Sequence, residues 1–135
     1  MNLLDPKNLP KLFVFKPQES MAKEEINLVP LNKHGRIGAE IHSLYSTIET
    51  GCGGPAAAIV RYLPGATAAL HNHLGYEIIY ILEGELKTAE GVFLKNSIIL
   101  MEPNTRHAPR SEKGCLALVI WEKPVEVVQL TEIEL

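Results

Sequence analysis

The chain has 135 residues, of which 46% are hydrophobic and 21% are charged, and its formal net charge at pH 7 is −3. This length is typical of one domain with its own hydrophobic core, and we expect residues 1–135 to form a single domain. The ordinary composition argues against intrinsic disorder, and the dispersed lysines and arginines form no basic stripe of the kind that binds nucleic acid.

The N-terminal part, residues 1–35, is expected to form an arm or extra strands and not a second domain. Residues 1–15 lack the continuous apolar stretch of a secretory signal, and the most apolar windows of the chain are far shorter than the roughly 18–20 residues that cross a bilayer, so we predict a cytoplasmic protein that does not enter membranes. Residues 20–26 favour one or two helical turns at most. In a reducing compartment Cys52 and Cys115 are expected to be free thiols.

From about residue 38 onward, short runs rich in Val, Ile, Leu and Tyr are separated by Gly, Pro or Asn. This rhythm is typical of an all-β protein. The runs are 39–48, 56–63, 77–82, 85–89, 97–101, 115–121 and 125–130. Turns are predicted at 50–55, 64–65, 83–84, 90–91 and 103–104. Antiparallel strands with turns this close hide their edges by closing into a barrel or a jelly roll, so the sequence predicts such a barrel over residues 36–135.

The residues most suggestive of chemistry are His71, His73 and Glu77, with His107 as a fourth candidate. Two histidines two residues apart on a strand share one face and lie about 6.6 Å apart, so their ring nitrogens can converge on one ion. Glu77 would lie about 13 Å from His73 along an unbroken strand, too far to reach the same ion. We therefore predict that the strand breaks at Gly75 and that Glu77 begins the next strand.

Three imidazoles and one carboxylate suit Zn, Fe(II), Mn, Ni or Cu better than Ca or Mg, and with a divalent ion the set has a net charge of +1. Four ligands can close a tetrahedral structural site or leave positions open for a substrate, and the residue types do not distinguish these alternatives. A His-x-His pair by itself is a weak motif, because most histidines bind no metal. Tyr62 is a candidate pocket-lining residue, since it has the opposite parity to Arg61, although tyrosines on a strand face more often only pack the barrel.

The segment around these residues resembles the first motif of the cupin superfamily. The fixed positions of that motif are matched, at the family spacing, by Gly65, His71, Asn72, His73, Glu77 and Gly84. The second cupin motif is matched less closely, and its positions are occupied by Asn96, Glu102, Asn104, His107 and Ser111. Asn tolerates left-handed backbone better than other non-glycine residues, so Asn96 and Asn104 can replace the glycines of that motif.

Within the superfamily, residues 56–121 are most similar to the ChrR-type cupin domain, which occurs in a zinc-binding anti-sigma factor and as stand-alone proteins. The closer similarity lies in the turn Glu90–Gly91, in the run His107, Ala108, Pro109 and Ser111, and in Gly114, Cys115 and Leu116. The resemblance implies a double-stranded β-helix in which His71, His73, Glu77 and His107 bind metal. Residues 1–35 contain His34 but no cysteine, so sigma-factor inhibition is not expected.

The resemblance implies one divalent metal ion as cofactor, with Zn first and Fe, Mn or Ni as alternatives. It also implies a small-molecule ligand and a homodimer, since cupins commonly pair through edge strands and N-terminal arms. Two functions remain open. One is a small-molecule-binding or sensing protein, and the other is a metal-dependent, dioxygenase-like oxidoreductase for a small anionic or enolisable substrate. A purely structural barrel is a third, less favoured reading.

Overall fold

The computed structural model describes residues 13–18, 26–33 and 35–128. These residues form mostly strands with one short helix, α1 (Thr47–Thr50). The strands are β1 (Val29–Pro30), β2 (Arg36–Tyr45), β3 (Ala56–Ala68), β4 (His71–Asn72), β5 (Glu77–Thr88), β6 (Gly91–Leu94), β7 (Ile98–Met101), β8 (Arg106–His107), β9 (Arg110–Ser111), β10 (Cys115–Trp121) and β11 (Glu126–Val127). The predicted all-β barrel is confirmed, and it is a closed barrel with extra strands.

Two antiparallel sheets make up the barrel. The larger has eight strands, with β1, β2, β3, β10, β5 and β6 in that order, while β7 pairs with β5 and β9 pairs with both β3 and β5. The smaller has three strands in the order β11, β4 and β8. The central strand β10 lies between β3 and β5, so that Val119 is opposite Ala58 on one side and Ile79 on the other.

The core lies inside the barrel, because alternate residues of the central strands point inward. Val60, Ile81, Leu86 and Ala117 are among its fully or almost fully buried members. The opposite face of the same strands is not bare, since Ile59 and Leu116 pack with Ile26 and with Phe15 and Leu28 from the N-terminal part of the chain. The described residues of the predicted arm therefore cover the outside of the large sheet, and β1 extends it beside β2.

Some predicted turns are wrong. No turn forms at 83–84, because β5 runs without interruption from Glu77 to Thr88. Instead, the pairing of β5 with β10 shifts in register between Leu116 and Ala117, which indicates a β-bulge in this part of β5. Residues 64–65 likewise lie within β3, where that strand exchanges its partner β10 for β9. The turn at 90–91 is confirmed, since Thr88 pairs with Gly91 across a two-residue hairpin.

The ends of several runs also differ from the prediction. The run 39–48 stops at Tyr45, and Ser46 then caps the helical turn α1 by accepting a hydrogen bond from the backbone N–H of Ile48. Only Glu126–Val127 of the run 125–130 is a strand among the described residues. Residues 20–25 of the predicted helical turns, and His34, lie outside the described residues.

The two cysteines are free, as predicted, with Cys52 exposed and Cys115 buried. Burial, together with the nearby Glu85 carboxylate, raises the pKa of Cys115 to about 12, so its thiol stays protonated and behaves as a small apolar group. Within the described ranges, no helix combines the length and hydrophobicity that a membrane crossing requires.

Candidate metal centre

The fold brings the four predicted ligand residues together inside the barrel. His71 lies in β4, His73 follows that strand directly, Glu77 is the first residue of β5 and His107 is the last residue of β8. His71 and His107 are register partners across the small sheet. These four residues, named here the His/Glu cluster, are all buried.

The predicted break between His73 and Glu77 is present, although its physical cause differs in part from the expectation. The strand ends after Asn72 and β5 begins at Glu77. Gly75 does not adopt a positive φ; instead, a Cβ added to it would lie 2.7 Å from a carboxylate oxygen of Glu122. The glycine therefore leaves room for the Glu122 side chain in this bend.

The donor atoms of the His/Glu cluster lie within 4.8 Å of one another. The Nε2 atoms of His73 and His107 are each 3.4 Å from Oε2 of Glu77. The three rings meet edge to face, with centroids 4.4 to 5.2 Å apart. Three nitrogens and one oxygen at such separations can surround a single small cation.

Hydrogen bonds fix the orientation of two of the rings. Nδ1 of His71 is 3.0 Å from the carbonyl oxygen of Ala69, and Nδ1 of His73 is 3.1 Å from the carbonyl oxygen of Thr105 and 3.0 Å from its hydroxyl. A carbonyl oxygen only accepts, so each Nδ1 carries the proton and donates it. Each Nε2 then presents a lone pair to the interior of the cluster.

Those two Nε2 atoms are buried and have no hydrogen-bond partner within the described part of the chain. An unpartnered buried polar atom is uncommon and costly in a folded protein, and it calls for a specific cause. A metal ion bound at these nitrogens would supply the missing partner, and a carbonyl or hydroxyl oxygen on the other ring nitrogen is the usual outer support of a metal-bound histidine. The residues present therefore fit a divalent ion.

The protonation states of the cluster favour the same ion. Burial lowers the pKa of His107 to about 4 and also lowers that of His71, so both rings are neutral at pH 7. Burial opposes the ionisation of Glu77, but its contacts with the rings of His73, His107 and His71 lower its pKa, and the carboxylate is anionic at pH 7. Neutral imidazoles and a carboxylate are the forms that bind metal.

A small space adjoins the His/Glu cluster, lined by all of its members except His73, and is named here the inner cavity. About 10 Å³ of it is open to the centre of a water molecule, which is room for about one water. The remaining polar wall consists of Arg36, Tyr62 and Trp121. The structure thus places Tyr62 beside the cluster, where burial raises the pKa of its hydroxyl against the opposing effect of the adjacent Arg36.

Sequence reasoning missed three residues of this site: Thr105, Arg36 and Trp121. Thr105 holds the His73 ring, and its hydroxyl in turn donates to the carbonyl oxygen of Glu102 at 2.6 Å. Thr105 could have been found from its position two residues before His107, because residues two apart on an extended chain point to the same face. Arg36 and Trp121 carried no comparable signal.

The two asparagines of the second motif behave as expected. Asn96 has φ of 72° and Asn104 has φ of 69°, the left-handed conformation that glycine would otherwise supply. Ser111 is buried, and its hydroxyl donates to the carbonyl oxygen of Glu85 and accepts from the backbone N–H of Gly114. The second motif therefore retains the left-handed turn at Asn104 that precedes His107, although asparagine replaces glycine there.

Comparison with solved structures places the fold among cupins. An acetylacetone dioxygenase from Acinetobacter johnsonii aligns with a TM-score of 0.69 and 16% identity, covering 90% of this chain and 83% of the other. The polyketide cyclase RemF from Streptomyces resistomycificus aligns with a TM-score of 0.65 and 20% identity, covering 83% and 86%. One chain of the structure of Rhodobacter sphaeroides SigE in complex with the anti-sigma ChrR aligns with a TM-score of 0.59 and 21% identity. The alignment covers 73% of this chain and 50% of that chain.

No curated protein shows significant similarity to the chain. A family model matches the chain over a longer stretch than the resemblance seen in residues 56–121. Residues 17–124 match the model of the ChrR cupin-like domain, and the chain therefore belongs to this family.

Proposed function

We propose that this protein binds one divalent metal ion through His71, His73, Glu77 and His107, and that it binds a small molecule beside that ion as a binding or sensing protein. The observation that carries the proposal is the buried convergence of four donor atoms within 4.8 Å, two of them nitrogens without a hydrogen-bond partner. Outer support of the two rings by Ala69 and Thr105 agrees with it.

Each residue of the His/Glu cluster has a distinct part in this proposal. The three histidines supply neutral nitrogen donors, while Glu77 supplies the one negative charge, which leaves +1 on the site with a divalent ion. The bound ion would act as a Lewis acid toward an oxygen of the ligand. The borderline-soft donor set favours Zn first, with Fe, Mn and Ni as alternatives.

Elemental analysis and calorimetric metal titration test the proposal. The wild-type protein is expected to hold one Zn²⁺ per chain. His107→Ala and Glu77→Gln should weaken Zn²⁺ binding by more than the roughly 10- to 100-fold effect of losing an outer support of a ligand, because each removes a donor atom itself.

His42→Ala is the matched control. His42 lies outside the barrel, where its ring stacks on Phe13 and accepts a hydrogen bond from the backbone N–H of Asn27. The substitution should leave Zn²⁺ affinity unchanged. Equal affinity in His107→Ala, Glu77→Gln and wild type, with all three folded by circular dichroism, would refute the metal site.

A second function is a dioxygenase-like oxidoreductase for a small anionic or enolisable substrate. It is favoured by the inner cavity, which leaves room for one water-sized group beside His71, Glu77 and His107, where an oxygen atom of a substrate could reach the ion. The fold similarity to an acetylacetone dioxygenase suggests a β-diketone as the first probe.

The test is oxygen consumption by the Fe(II)-loaded protein with acetylacetone, compared with the Zn-loaded protein. Substrate-dependent uptake that requires Fe(II) and disappears in His107→Ala supports the oxidoreductase. If the Fe(II)-loaded protein consumes no oxygen with this or related diketones, the binding or sensing function is retained.

A further inference from the structure

Arg36 is a buried cation that lines the inner cavity. Only 8% of its surface is exposed, and among the described residues its guanidinium forms no ion pair with a carboxylate. Its guanidinium forms a long hydrogen bond of 3.4 Å to the carbonyl oxygen of Lys33 and lies beside the hydroxyl of Tyr62. A buried charge that is not paired directly is unfavourable, so the position suits an anionic ligand.

Trp121 lines the inner cavity together with Arg36 and has an unsatisfied polar atom. Its indole Nε1 is buried and has no hydrogen-bond acceptor among the described residues. An indole N–H can only donate, so an acceptor is what this position lacks. Arg36, the first residue of β2, therefore offers a cation, and Trp121, the last residue of β10, offers an N–H donor.

Both side chains lie between two spaces. On one side is the inner cavity beside the His/Glu cluster. On the other is a cleft of about 300 Å³ whose remaining walls are largely apolar, formed by Leu31, Ile41, Ser46, Thr47, Ala56, Pro124 and Val125. The cleft has the volume of a small-ligand pocket, whereas the inner cavity admits only a group the size of a water molecule.

We propose that Arg36 and Trp121 bind the carboxylate of a small amphipathic acid whose apolar part lies in the cleft. The carboxylate would accept from the guanidinium and from the indole N–H, and its oxygens would face the inner cavity. Carboxylate is favoured over a larger oxyanion because it is planar, matches the guanidinium fork and leaves only its oxygens to be fitted beside the cluster.

Charge supports an anionic ligand independently of shape. Glu77 is the one carboxylate among the residues lining the inner cavity, and Arg36 offsets it before any metal is added. With a divalent ion, the charges of the ion (+2), Arg36 (+1) and Glu77 (−1) give the cavity a net charge of +2. This inference rests on the proposed small-molecule binding and names the class of ligand for it.

The experiment uses full-length, Zn-loaded protein and calorimetric titration with hexanoate, hexanamide and acetate. Hexanoate is expected to bind at least tenfold more tightly than its neutral amide, because the amide cannot pair with the guanidinium. Affinity should fall by up to about fourfold for each methylene removed toward acetate, as less apolar surface enters the cleft.

Substitutions identify the residues responsible. Arg36→Gln should weaken hexanoate binding roughly 10- to 100-fold, Arg36→Lys less, and Trp121→Phe by several-fold, while the Zn²⁺ content stays at the wild-type value. Arg61→Gln is the matched control, because Arg61 pairs with Glu40 outside the cavity. If Arg36→Gln does not fold, Arg36→Lys and Trp121→Phe carry the test, and affinity equal to wild type in both overturns the inference.

The outcomes separate this inference from the metal proposal. Zn-loaded wild type that binds no hexanoate, binds the amide equally well, or responds equally to Arg36→Gln and Arg61→Gln overturns the carboxylate site and leaves the metal site standing. Protein that takes up no metal but binds hexanoate in an Arg36-dependent manner refutes the metal site and supports the carboxylate site.

Discussion

The hydrogen bonds of His71 and His73 determine how these rings can act. Because each Nδ1 donates to a backbone carbonyl oxygen, the ring cannot turn without losing that bond, and its Nε2 is held toward Glu77. The site is thus organised before any ion arrives. Losing the Thr105 hydroxyl would remove one of the two acceptors near Nδ1 of His73 and leave the carbonyl.

Metal affinity should depend on pH in a way that follows from burial. Protons compete with the ion for the imidazole nitrogens, and a histidine with a lowered pKa is neutral above that pKa and protonated only below it. Since the pKa of His107 is about 4, far below that of an exposed ring, apparent Zn²⁺ affinity should fall most steeply as the pH approaches about 4. Calorimetric titration across the acid range measures this.

Circular dichroism at each pH shows whether the fold is intact, so that loss of metal is separated from unfolding. Undiminished affinity in folded protein on the acid side of about pH 4 would contradict imidazole ligation by His107.

Arg36 shows why part of the site was not predictable from the residues alone. Ala39 and Ile41 face the core, so strict alternation along β2 would point Ile37 inward and Arg36 toward water. The structure has the reverse, with Ile37 71% exposed and Arg36 buried, because the register shifts between Ile37 and Ala39. A one-residue irregularity exchanges the two faces, and only tertiary pairing reveals it. The His/Glu cluster was predictable because the cupin-type motif implies these four ligands, and the spacing of His73 and Glu77 then required a break in the strand.

At the level of elements, two identical dipeptides have different outcomes. Glu90–Gly91 lies at the hairpin turn between β5 and β6. Glu83–Gly84 instead lies inside β5, although Gly84 has a positive φ of 78°. Gly84 is needed because β5 approaches the backbone of Gly114 closely, and local sequence cannot show an approach between residues thirty positions apart. The strands of the core were predictable, because their apolar runs are long, but the continuity of β5 was not.

Gly84→Ala should therefore destabilise the fold substantially. An added Cβ would lie 2.1 Å from the carbonyl oxygen of Gly114, and the positive φ adds strain of its own. We expect the free energy of unfolding to fall by roughly 2–4 kcal/mol, measured by urea denaturation.

Gly51→Ala is the control for that substitution. Gly51 also has a positive φ, of 99°, but none of the described residues lies within 4 Å of an added Cβ, so only the backbone strain of about 1–3 kcal/mol remains. Equal losses for the two variants would show that the contact with Gly114 is unimportant.

For the whole molecule, the outside of β5 and β7 is an apolar surface. Ile78, Ile98 and Leu100 are 37%, 70% and 57% exposed, and Ile78 and Leu100 are register partners. Among the described residues β7 pairs only with β5, so its other edge has unused backbone donors and acceptors. We propose that a second copy of the chain covers this surface by adding its own β7, which gives the homodimer predicted from the sequence.

Sedimentation should then show a dimer for the wild type and a monomer for Leu100→Lys, because a charge on this surface would be buried without a partner. Ile48→Lys is the control, since Ile48 is 92% exposed on α1. A wild-type monomer at high concentration, or equal dissociation by the two substitutions, would contradict this interface.

The small sheet gives the interior of the barrel a mechanical connection to its surface. His71 pairs with Val127 on one side and with His107 on the other, while its neighbour Asn72 donates to Glu126 and accepts from Arg106. A ligand that displaces the His71 backbone would therefore also disturb β11, because the two are paired in the small sheet.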